Sequence, residues 1–212
     1  MLVAVTPGAP LGSTTPGNAI NVRGINTNEM GVSEVHARYY EGSYRKTRYN
    51  AAMQAVLATA TIAGLSTSIT GTSVLYNPPG STVNLVVEKF GVGFVLAPAA
   101  PLVYGLACGF SNTALSGTLT SLSPRSNFIG SASGQGQCAA SAAITLPIAP
   151  TVTHVLGQLD TGAITTVTGV AGAYDLEGGL ILPPGGFAVF WTSAVLAASA
   201  HIASWQWEET PV

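Results

Sequence analysis

Charged side chains are scarce in this chain. Its 212 residues include 7 Lys and Arg and 9 Asp and Glu, so that 8% are charged, against about 25% in ordinary soluble domains. Hydrophobic residues reach 47% and the formal net charge is −2. Disordered proteins combine high net charge with low hydrophobicity, so this composition argues against disorder. We expect much of the surface to be covered by copies of the chain or by a partner.

Cysteine and histidine are also few, which limits disulfide and metal chemistry. Cys108 and Cys138 are too few for a disulfide framework, and their pairing cannot be decided from the sequence. We favour two buried free thiols in a protein assembled in a reducing cytoplasm. His36, His154 and His201 each lack a second ligand at a metal-binding spacing. The sequence therefore predicts neither a metal site nor a cofactor.

The best candidate for a membrane-spanning run contains two prolines. Residues 90–110, FGVGFVLAPAAPLVYGLACGF, have the length of a membrane-spanning helix but contain Pro98 and Pro101. The second half alternates large with small side chains, which is typical of a strand. We predict a strand, a turn and a second strand here, and no membrane association.

Few ionisable groups are present from which an active site could be built. Asp175 and Glu177 in YDLEGG could form a paired-carboxylate hydrolase site, but we favour a solvated strand end before a turn, because no second acidic cluster lies nearby in the sequence. The chain has no G-x-S-x-G elbow, and GSASGQGQC lacks the G-K-[ST] of a phosphate-binding loop. We interpret GSASGQGQC as a flexible surface loop. The sequence predicts no catalytic residues and no enzyme.

The spacing of turn residues predicts an all-β protein. Residues 1–35 lack any period and read as an extended N-terminal arm or linker, whereas residues 36–212 contain short apolar runs separated by turns such as NPPGS and LPPGG. In LVYGLACGF and HIASWQWEE the large residues fall on one face of a strand. In NLVVEKFGVGFVL both faces are apolar, which is typical of a doubly buried strand. Residues 51–65 are compatible with a helix or a strand. We predict an antiparallel β-sandwich.

A cluster of cations and tyrosines lies in residues 36–50, HARYYEGSYRKTRYN. Nucleic-acid binding requires several neutralised phosphates, and a chain with a pI of about 5.8 has no broad positive field, so we predict no nucleic-acid partner. Tyr and Arg are enriched at the centres of protein interfaces. A first strand whose tyrosines cover the edge of the core is the open alternative. The predicted partner-docking residues are Arg38, Tyr39, Tyr40, Tyr44, Arg45, Lys46, Arg48 and Tyr49.

Several segments together resemble a family of tailed-bacteriophage virion structural proteins. They are VHARYYEGSYRKTRYN, LYNPPGSTVNLVVEKFGVGF, APAAPLVYGL, DLEGGLILPPGGFAVFW and SWQWEE, in that order from about residue 35. The resemblance implies a sandwich of jelly-roll type, a homotrimer, and a partner in the major capsid protein or another virion protein. The segment YRKTRYN is more cationic than the resemblance leads one to expect. It implies no catalytic residue.

The leading hypothesis is a capsid decoration or cement protein, located in the virion and assembled in the host cytoplasm. The alternative is a tail or fibre protein that binds a host-surface receptor or carbohydrate. In that alternative Trp191, Trp205 or Trp207 would stack on the ligand, although such residues more often belong to a core. The sequence does not decide between head and tail.

Overall fold

The structure is a computed structural model that describes residues 23–24, 30–31, 39–54, 57–58, 66–69, 72–96, 101–159, 171–193 and 200–212. The chain divides into two compact units, Met1–Glu41 and Gly42–Val212. In the first unit, strands β1 (Arg23–Gly24) and β2 (Met30–Gly31) form an antiparallel pair. This pair lies within the segment predicted to be an arm. A helical turn, α1 (Tyr40–Tyr44), spans the boundary between the units.

The second unit is built from antiparallel strands in two sheets. Its described strands are β3 (Arg48–Ala52), β4 (Leu57–Ala58), β5 (Ser68–Ile69), β6 (Thr72–Tyr76), β7 (Val83–Leu96), β8 (Leu102–Phe110), β9 (Ser116–Ser121), β10 (Arg125–Ser126), β11 (Gln137–Thr145), β12 (Thr151–Leu159), β13 (Ala171–Leu182), β14 (Gly186–Thr192) and β15 (Ala200–Pro211). One sheet has the order β10-β3-β15-β7-β13, with β4 also paired to β15. The other has the order β12-β8-β14-β6-β11-β5, with β9 also paired to β11.

The two sheets pack face to face around one aromatic core. The ring centroids of Phe90 on β7 and Phe190 on β14 are 5.6 Å apart. Trp205 on β15 donates a hydrogen bond from Nε1 to Ser73 Oγ on β6 at 3.2 Å. Stacked aromatic pairs add about 0.5–1.5 kcal/mol beyond the burial of their area. The predicted all-β sandwich is therefore confirmed.

The proline–glycine turns fold as their sequences predict. Ser81 N donates to Pro78 O at 3.1 Å across NPPGS, and Gly186 N donates to Pro183 O at 2.7 Å across LPPGG. The third residue of each turn, Gly80 or Gly185, has a φ near +90°. That conformation favours glycine, because a side chain would crowd the backbone.

Strand β15 follows the predicted alternation along its whole length. His201, Ala203, Trp205, Trp207 and Glu209 are all buried, and the residues between them are half-buried. The prediction that Trp205 and Trp207 share one face is confirmed. Both indoles belong to the core, with exposures of 1% and 0%.

The sequence pattern of β7 predicted burial on both faces, but the strand is buried on one side at a time and the buried side changes along it. Val87 pairs with Trp207 and Lys89 pairs with Gln206, so Glu88 has no partner residue on β15 and forms a bulge. Leu85 and Val87 are buried before the bulge, and Phe90, Val92 and Phe94 are buried after it. An inserted residue reverses the alternation of side chains along a strand. Both faces of β7 carry apolar residues because the inward face changes at the bulge. The strand is not buried on both sides, since Val95 is 46% exposed.

Doubly buried strands occur in the other sheet. Every residue of β6 is buried, and so is every residue of β14 except the half-buried Trp191. The predicted strands on either side of residues 97–100 are β7 and β8, which belong to different sheets. Residues 51–65, which are compatible in sequence with a helix or a strand, are described in part. Residues 51–52 belong to β3, residues 53–54 follow it and residues 57–58 form β4, whereas the remainder lies outside the described residues.

The two cysteines are free, as we favoured. Cys138 is buried and Cys108 is half-buried, with its Sγ 3.1 Å from Thr153 Oγ1. Burial raises the pKa of both thiols, and the Thr153 contact offsets part of that rise at Cys108.

Candidate docking surface

The eight residues predicted to dock a partner fall in different environments. Arg38 lies outside the described residues. Tyr39 is half-buried and Tyr40 is 40% exposed, and both belong to the first unit. The five others belong to the second unit and lie on or just before β3. They are Tyr44, Arg45, Lys46, Arg48 and Tyr49.

Arg48 is an internal anchor of this segment. Its guanidinium forms an ion pair with Glu88, and both side chains are nearly inaccessible to solvent. Arg48 Nε also lies 4.0 Å from Glu208 Oε2. A Cβ at Gly42 would come within 2.7 Å of Arg48 Cδ, so only glycine lets the chain lie this close over the arginine. Arg48 therefore supports the surface from beneath, because its side chain is buried.

Thr47 ties the helical turn to the sheet. Its backbone N–H donates to Gly42 O at 3.0 Å, and its hydroxyl donates to Glu208 Oε1 at 2.9 Å. Position 47 also lies next to β15, because Glu209 N donates to Thr47 O at 2.8 Å. Residues 42–47 are thus held by hydrogen bonds near the C-terminal end of β15.

Tyr49 and Lys46 fix the bend before β3. Tyr49 stacks on Trp207 with ring centroids 6.1 Å apart, and its hydroxyl donates to Lys46 O at 2.8 Å. Burial, and secondly the charge of Glu209, raise the pKa of Tyr49. Lys46 has a φ of +64°, a left-handed conformation unusual for a residue with a side chain. These contacts hold the lysine in a conformation that directs its side chain outward, where it is exposed.

The exposed members of the cluster contact Phe128, an apolar side chain that sequence reasoning missed. Tyr44 is 52% exposed, and its ring lies edge-on to Phe128 at 6.5 Å. Lys46 Nζ lies 5.3 Å from the centre of the Phe128 ring, within the range of a cation–π interaction. Phe128 is 44% exposed and Ile129 is 83% exposed. We call the exposed side chains of Tyr44, Arg45, Lys46, Phe128 and Ile129 the corner surface.

The turn that carries Phe128 and Ile129 is held by hydrogen bonds. Ser131 N donates to Phe128 O at 3.1 Å, and Gly130 has a φ of +93°, so Ile129 occupies the tip of a tight turn. Asn127 N donates to Arg48 O at 2.8 Å, and Asn127 Oδ1 accepts from Asn50 Nδ2 at 2.6 Å. The apolar tip therefore has a defined position beside β3. An apolar pair before a glycine in NFIGS was the only sequence signal.

A shallow polar groove of about 350 Å³ lies beside the same strand. Its lining residues include Asn50, Gln54, Ser121, Ser123 and Arg125. These side chains supply amide, hydroxyl and guanidinium groups, and the described lining contains no carboxylate or imidazole. Such a groove offers hydrogen bonds to a polar ligand but no acid–base pair.

The candidate carboxylates and the described histidines lie on three different strands, β13, β12 and β15. Asp175 and Glu177 are both exposed, and Glu177 N donates to Asp175 Oδ1 at 2.9 Å, so they shape one bend of β13. His36 lies outside the described residues, and His154 Nδ1 lies 3.0 Å from Thr153 Oγ1. His201 packs between the rings of Phe94 and Phe190.

The described ranges contain no group of three or more His, Cys, Asp or Glu side chains arranged to hold a metal ion. None of their helices has the length and apolar character needed to cross a bilayer.

The glycine-rich segment GSASGQGQC, interpreted from its composition as a flexible surface loop, is held by hydrogen bonds at Gln135 and Gly136. Glu209, which is 9% exposed, accepts hydrogen bonds from Gln135 N at 3.0 Å and from Gly136 N at 2.7 Å. Gln135 Oε1 in turn accepts from Thr82 N at 3.0 Å. The segment is thus fastened to both β15 and the start of β7, and its glycines allow the close approach.

No protein-family model matches the chain, and neither does any curated protein or solved structure. No activity or partner is therefore transferred from a relative. The resemblance to phage virion proteins stays a prediction.

Proposed function

We propose that this protein is a structural component of a phage virion, most simply a capsid decoration or cement protein. The observation that carries the proposal is the corner surface, an exposed group of aromatic, aliphatic and cationic side chains on a firmly anchored base. Tyr, Phe and Arg are enriched where protein interfaces bury their energetic centre. A surface whose backbone is already fixed loses little conformational entropy on binding, which favours affinity.

We further propose that the sandwich is a jelly roll. Eight strands are numbered from 1 to 8 in chain order to compare the topology, namely β3, β6, β7, β8, β12, β13, β14 and β15. With these numbers, one sheet has the order 1-8-3-6 and the other has the order 5-4-7-2. Strands 1 and 8, 2 and 7, 3 and 6, and 4 and 5 are hydrogen-bonded neighbours. That pairing is expected when one long antiparallel ribbon is wrapped into two Greek keys, an architecture common in viral capsid proteins.

In this numbering, β9, β10 and β11 form an insertion between strands 4 and 5. The corner surface combines Phe128 and Ile129 from that insertion with residues 44–46, which precede strand 1. Binding residues commonly lie on loops held by a rigid scaffold, and this arrangement supports a binding role for the corner.

The composition supports assembly as the purpose of binding. A chain with 8% charged residues has few charges with which to keep a free monomer soluble, and contacts between copies or with a shell would cover the excess apolar surface. A homotrimer in the virion, contacting the major capsid protein or another virion protein, fits this need. Stabilisation then follows from buried area at subunit junctions and requires no catalysis.

The polar groove beside β3 supports a second candidate, a tail or fibre protein that binds a host-surface carbohydrate. Arg125 and the amides of Asn50 and Gln54 match the hydroxyl and carboxylate groups of sugars. The burial of Trp205 and Trp207 removes two of the three proposed stacking platforms, and Trp191 is half-buried. A glycan array probed with the protein and with Arg125→Ala tests this candidate.

The test of the main proposal begins with immunogold labelling of intact virions. Label over the head supports decoration, whereas label confined to the tail supports the second candidate. Particles lacking the protein are then incubated with purified protein carrying Tyr44→Ala, Phe128→Ala and Ile129→Ser. We expect the wild type to bind and the triple variant to lose at least about tenfold in affinity, because interface centres concentrate the binding energy.

The matched control is Phe110→Ser, which removes a ring that is 53% exposed at the end of β8, in the sheet that contains neither β3 nor β10. Circular dichroism must report a folded sandwich for both variants. Unchanged binding of the folded triple variant would contradict the assignment of the corner surface, and absence of the protein from every particle would contradict the virion proposal.

A further inference from the structure

The polar groove beside β3 lies between two rows of outward side chains. On the β3 side, Asn50 and Gln54 are exposed, whereas Ala51 and Met53 are buried. Side chains alternate between the two faces of an extended chain, so both amides lie on the outer face of the sheet. The volume of about 350 Å³ is near the lower end of the range of about 300–1,000 Å³ for small-molecule sites, which suits a ligand the size of a monosaccharide.

The opposite wall of the groove shows the same alternation. Ser121, Ser123 and Arg125 are exposed, and Leu122 between the two serines is buried. This wall connects β9 to β10, and Arg125 pairs with Asn50 across the two strands. The groove therefore combines amides on one wall with hydroxyls and a guanidinium on the other.

The backbone of this second wall is fixed. Leu122 N donates to Cys138 O at 2.8 Å, and Ser123 N donates to Ser121 Oγ at 3.3 Å. Ser123 has a φ of +48°, a left-handed conformation that residues with a side chain rarely adopt. Such a conformation persists only where the surrounding contacts hold it. A pre-formed wall lowers the entropic cost of binding a ligand.

Arg125 supplies the charge of the groove. The lining in the described part of the chain contains no other ionisable side chain, and the Arg125 guanidinium has no hydrogen-bond or ion-pair partner among the described residues. Arg48, by contrast, is paired with Glu88. A carboxylate presents two acceptor oxygens to the parallel N–H donors of a guanidinium, which makes it the strongest partner for this residue.

The amides of the first wall require donors on the same ligand. Asn50 Nδ2 donates to Asn127 Oδ1 at 2.6 Å, and Gln54 Nε2 donates to Ala52 O at 3.1 Å. These bonds orient both amides and leave their carbonyl oxygens to accept hydrogen bonds from a ligand. Hydroxyl groups provide such donors, whereas a bare carboxylate has none.

The described lining contains no aromatic ring, so a sugar has no stacking platform here. The apolar part of the groove is limited to Leu122 and the alanines of β3. Polar contacts must therefore supply most of the affinity, and a charge-assisted pair is stronger than a neutral hydrogen bond. A neutral sugar is the weaker match for this groove.

We infer that the groove binds an acidic sugar, a ring that carries both a carboxylate and hydroxyl groups. Arg125 binds the carboxylate, Asn50 and Gln54 accept from the hydroxyls, and the serine hydroxyls complete the contact. This inference rests on the second candidate function, carbohydrate binding, and specifies its ligand class. Uronic acids and sialic acids share the required chemistry, and the experiment separates them.

Titration of the isotope-labelled full chain, followed by amide chemical shifts in NMR spectra, tests the inference. The probes are glucuronate and N-acetylneuraminate, with glucose as the neutral match and acetate as the bare carboxylate. We expect at least one of the acidic sugars to bind at least about tenfold more tightly than glucose or acetate, and the tighter of the two identifies the source. The shifts of the Asn50 and Gln54 side-chain amides should change.

Substitution of Arg125 assigns the binding to the groove. Arg125→Gln should weaken binding of the acidic sugar by at least about tenfold, and Arg125→Lys should recover part of the loss because it keeps the charge without the fork of donors. The matched control is Lys89→Gln, which removes a cation that is 39% exposed on β7, outside the groove lining. It should bind as the wild type does. Circular dichroism must report a folded sandwich for each variant.

Four outcomes would overturn the inference. Acetate that binds as tightly as the acidic sugars would remove the role of the hydroxyls, and equal weakening by Lys89→Gln would indicate a general attraction to positive charge. Glucose that binds as tightly as glucuronate and N-acetylneuraminate would exclude the acidic class but leave the second candidate function in place. Absence of binding by every sugar would contradict both. The decoration proposal is judged separately, by the labelling of virions.

Discussion

Arg48 and Glu88 form an ion pair in which the side chains are only 6% and 5% exposed. Glu88 is the inserted residue of the β7 bulge, and Arg48 begins β3 two strands away in the same sheet. The pair therefore couples the bulge in the sheet to the base of the corner surface. One irregularity of the sandwich thus contributes directly to the candidate docking site.

Removal of one member of this pair should destabilise the fold strongly. Arg48→Met leaves the Glu88 carboxylate buried without its cation, and we expect the free energy of unfolding to fall by about 3–5 kcal/mol. Replacement of both residues, Arg48→Met with Glu88→Leu, should recover most of that loss because no buried charge remains. Urea denaturation followed by tryptophan fluorescence measures both values.

The control for this prediction is Lys89→Met at the neighbouring position. Lys89 lies 3.9 Å from Asp175 in a pair whose side chains are 39% and 37% exposed. Exposed pairs contribute about 0–1 kcal/mol, so a small change is expected. A loss at Lys89 as large as that at Arg48 would show that burial is not the reason.

Gly136 should tolerate no side chain. A Cβ there would lie 2.8 Å from Trp207 Nε1 and 3.0 Å from a methyl carbon of Leu85, and both of these side chains are fully buried. Overpacking of such a site costs about 1–3 kcal/mol, so Gly136→Ala should lower the urea midpoint clearly. Ser133→Ala, at an exposed position of the same segment, should change stability by less than about 0.5 kcal/mol. Equal stability of the two variants would mean that the segment is mobile after all.

His201 should make the sandwich less stable in acid. Burial lowers its pKa to about 4, and in the described structure neither ring nitrogen has a hydrogen-bond partner. In the unfolded chain the pKa returns to about 6.5, so between these values the unfolded state binds a proton that the folded state does not. Stability is fully present above about pH 6.5 and falls by about 3 kcal/mol as the pH drops to 4.

Urea unfolding at pH 4, 5, 6 and 7 measures this effect, with His201→Leu as the reference. The leucine variant lacks the titrating ring and should have a flatter profile between pH 4 and 6.5. Parallel profiles for the two proteins would assign the acid sensitivity to other groups.

The two thiols should react with alkylating agents at different rates. Cys108 is half-buried and Cys138 is almost inaccessible, and burial raises the pKa of both, which keeps them protonated. Because the thiolate is the reactive form, native labelling with iodoacetamide at pH 8 should be slow at Cys108 and slower at Cys138. Peptide mass spectrometry measures the order, and unfolding in urea should equalise the rates. A Cys108–Cys138 disulfide in purified protein would contradict the structure.

The sandwich could be predicted because its signals are local. The alternation in HIASWQWEE, the turns NPPGS and LPPGG, and the strands flanking residues 97–100 each depend on a few adjacent residues. The inward faces of β7 could not be predicted, because the bulge at Glu88 depends on its pairing with β15. The candidate site was predicted in part, since Tyr44, Arg45 and Lys46 are exposed whereas Arg48 is buried.

Phe128 and Ile129 escaped prediction because they lie about 80 residues from Tyr44. Only the pairing of β10 with β3 brings the two segments together. The fastening of GSASGQGQC to Glu209 has the same cause, since its partners lie 73 and 74 residues away along the chain.

The sequence by itself determined the secondary-structure class, the positions of the turns and the scarcity of charge that favours assembly. These properties depend on side-chain size, backbone conformational preference and composition, all of which are local or additive. The tertiary structure alone decided which cations are buried and which apolar residues lie beside the exposed cations at the corner. Those properties depend on contacts between segments far apart in the chain, because burial and electrostatic environment are defined only once the sheets have packed.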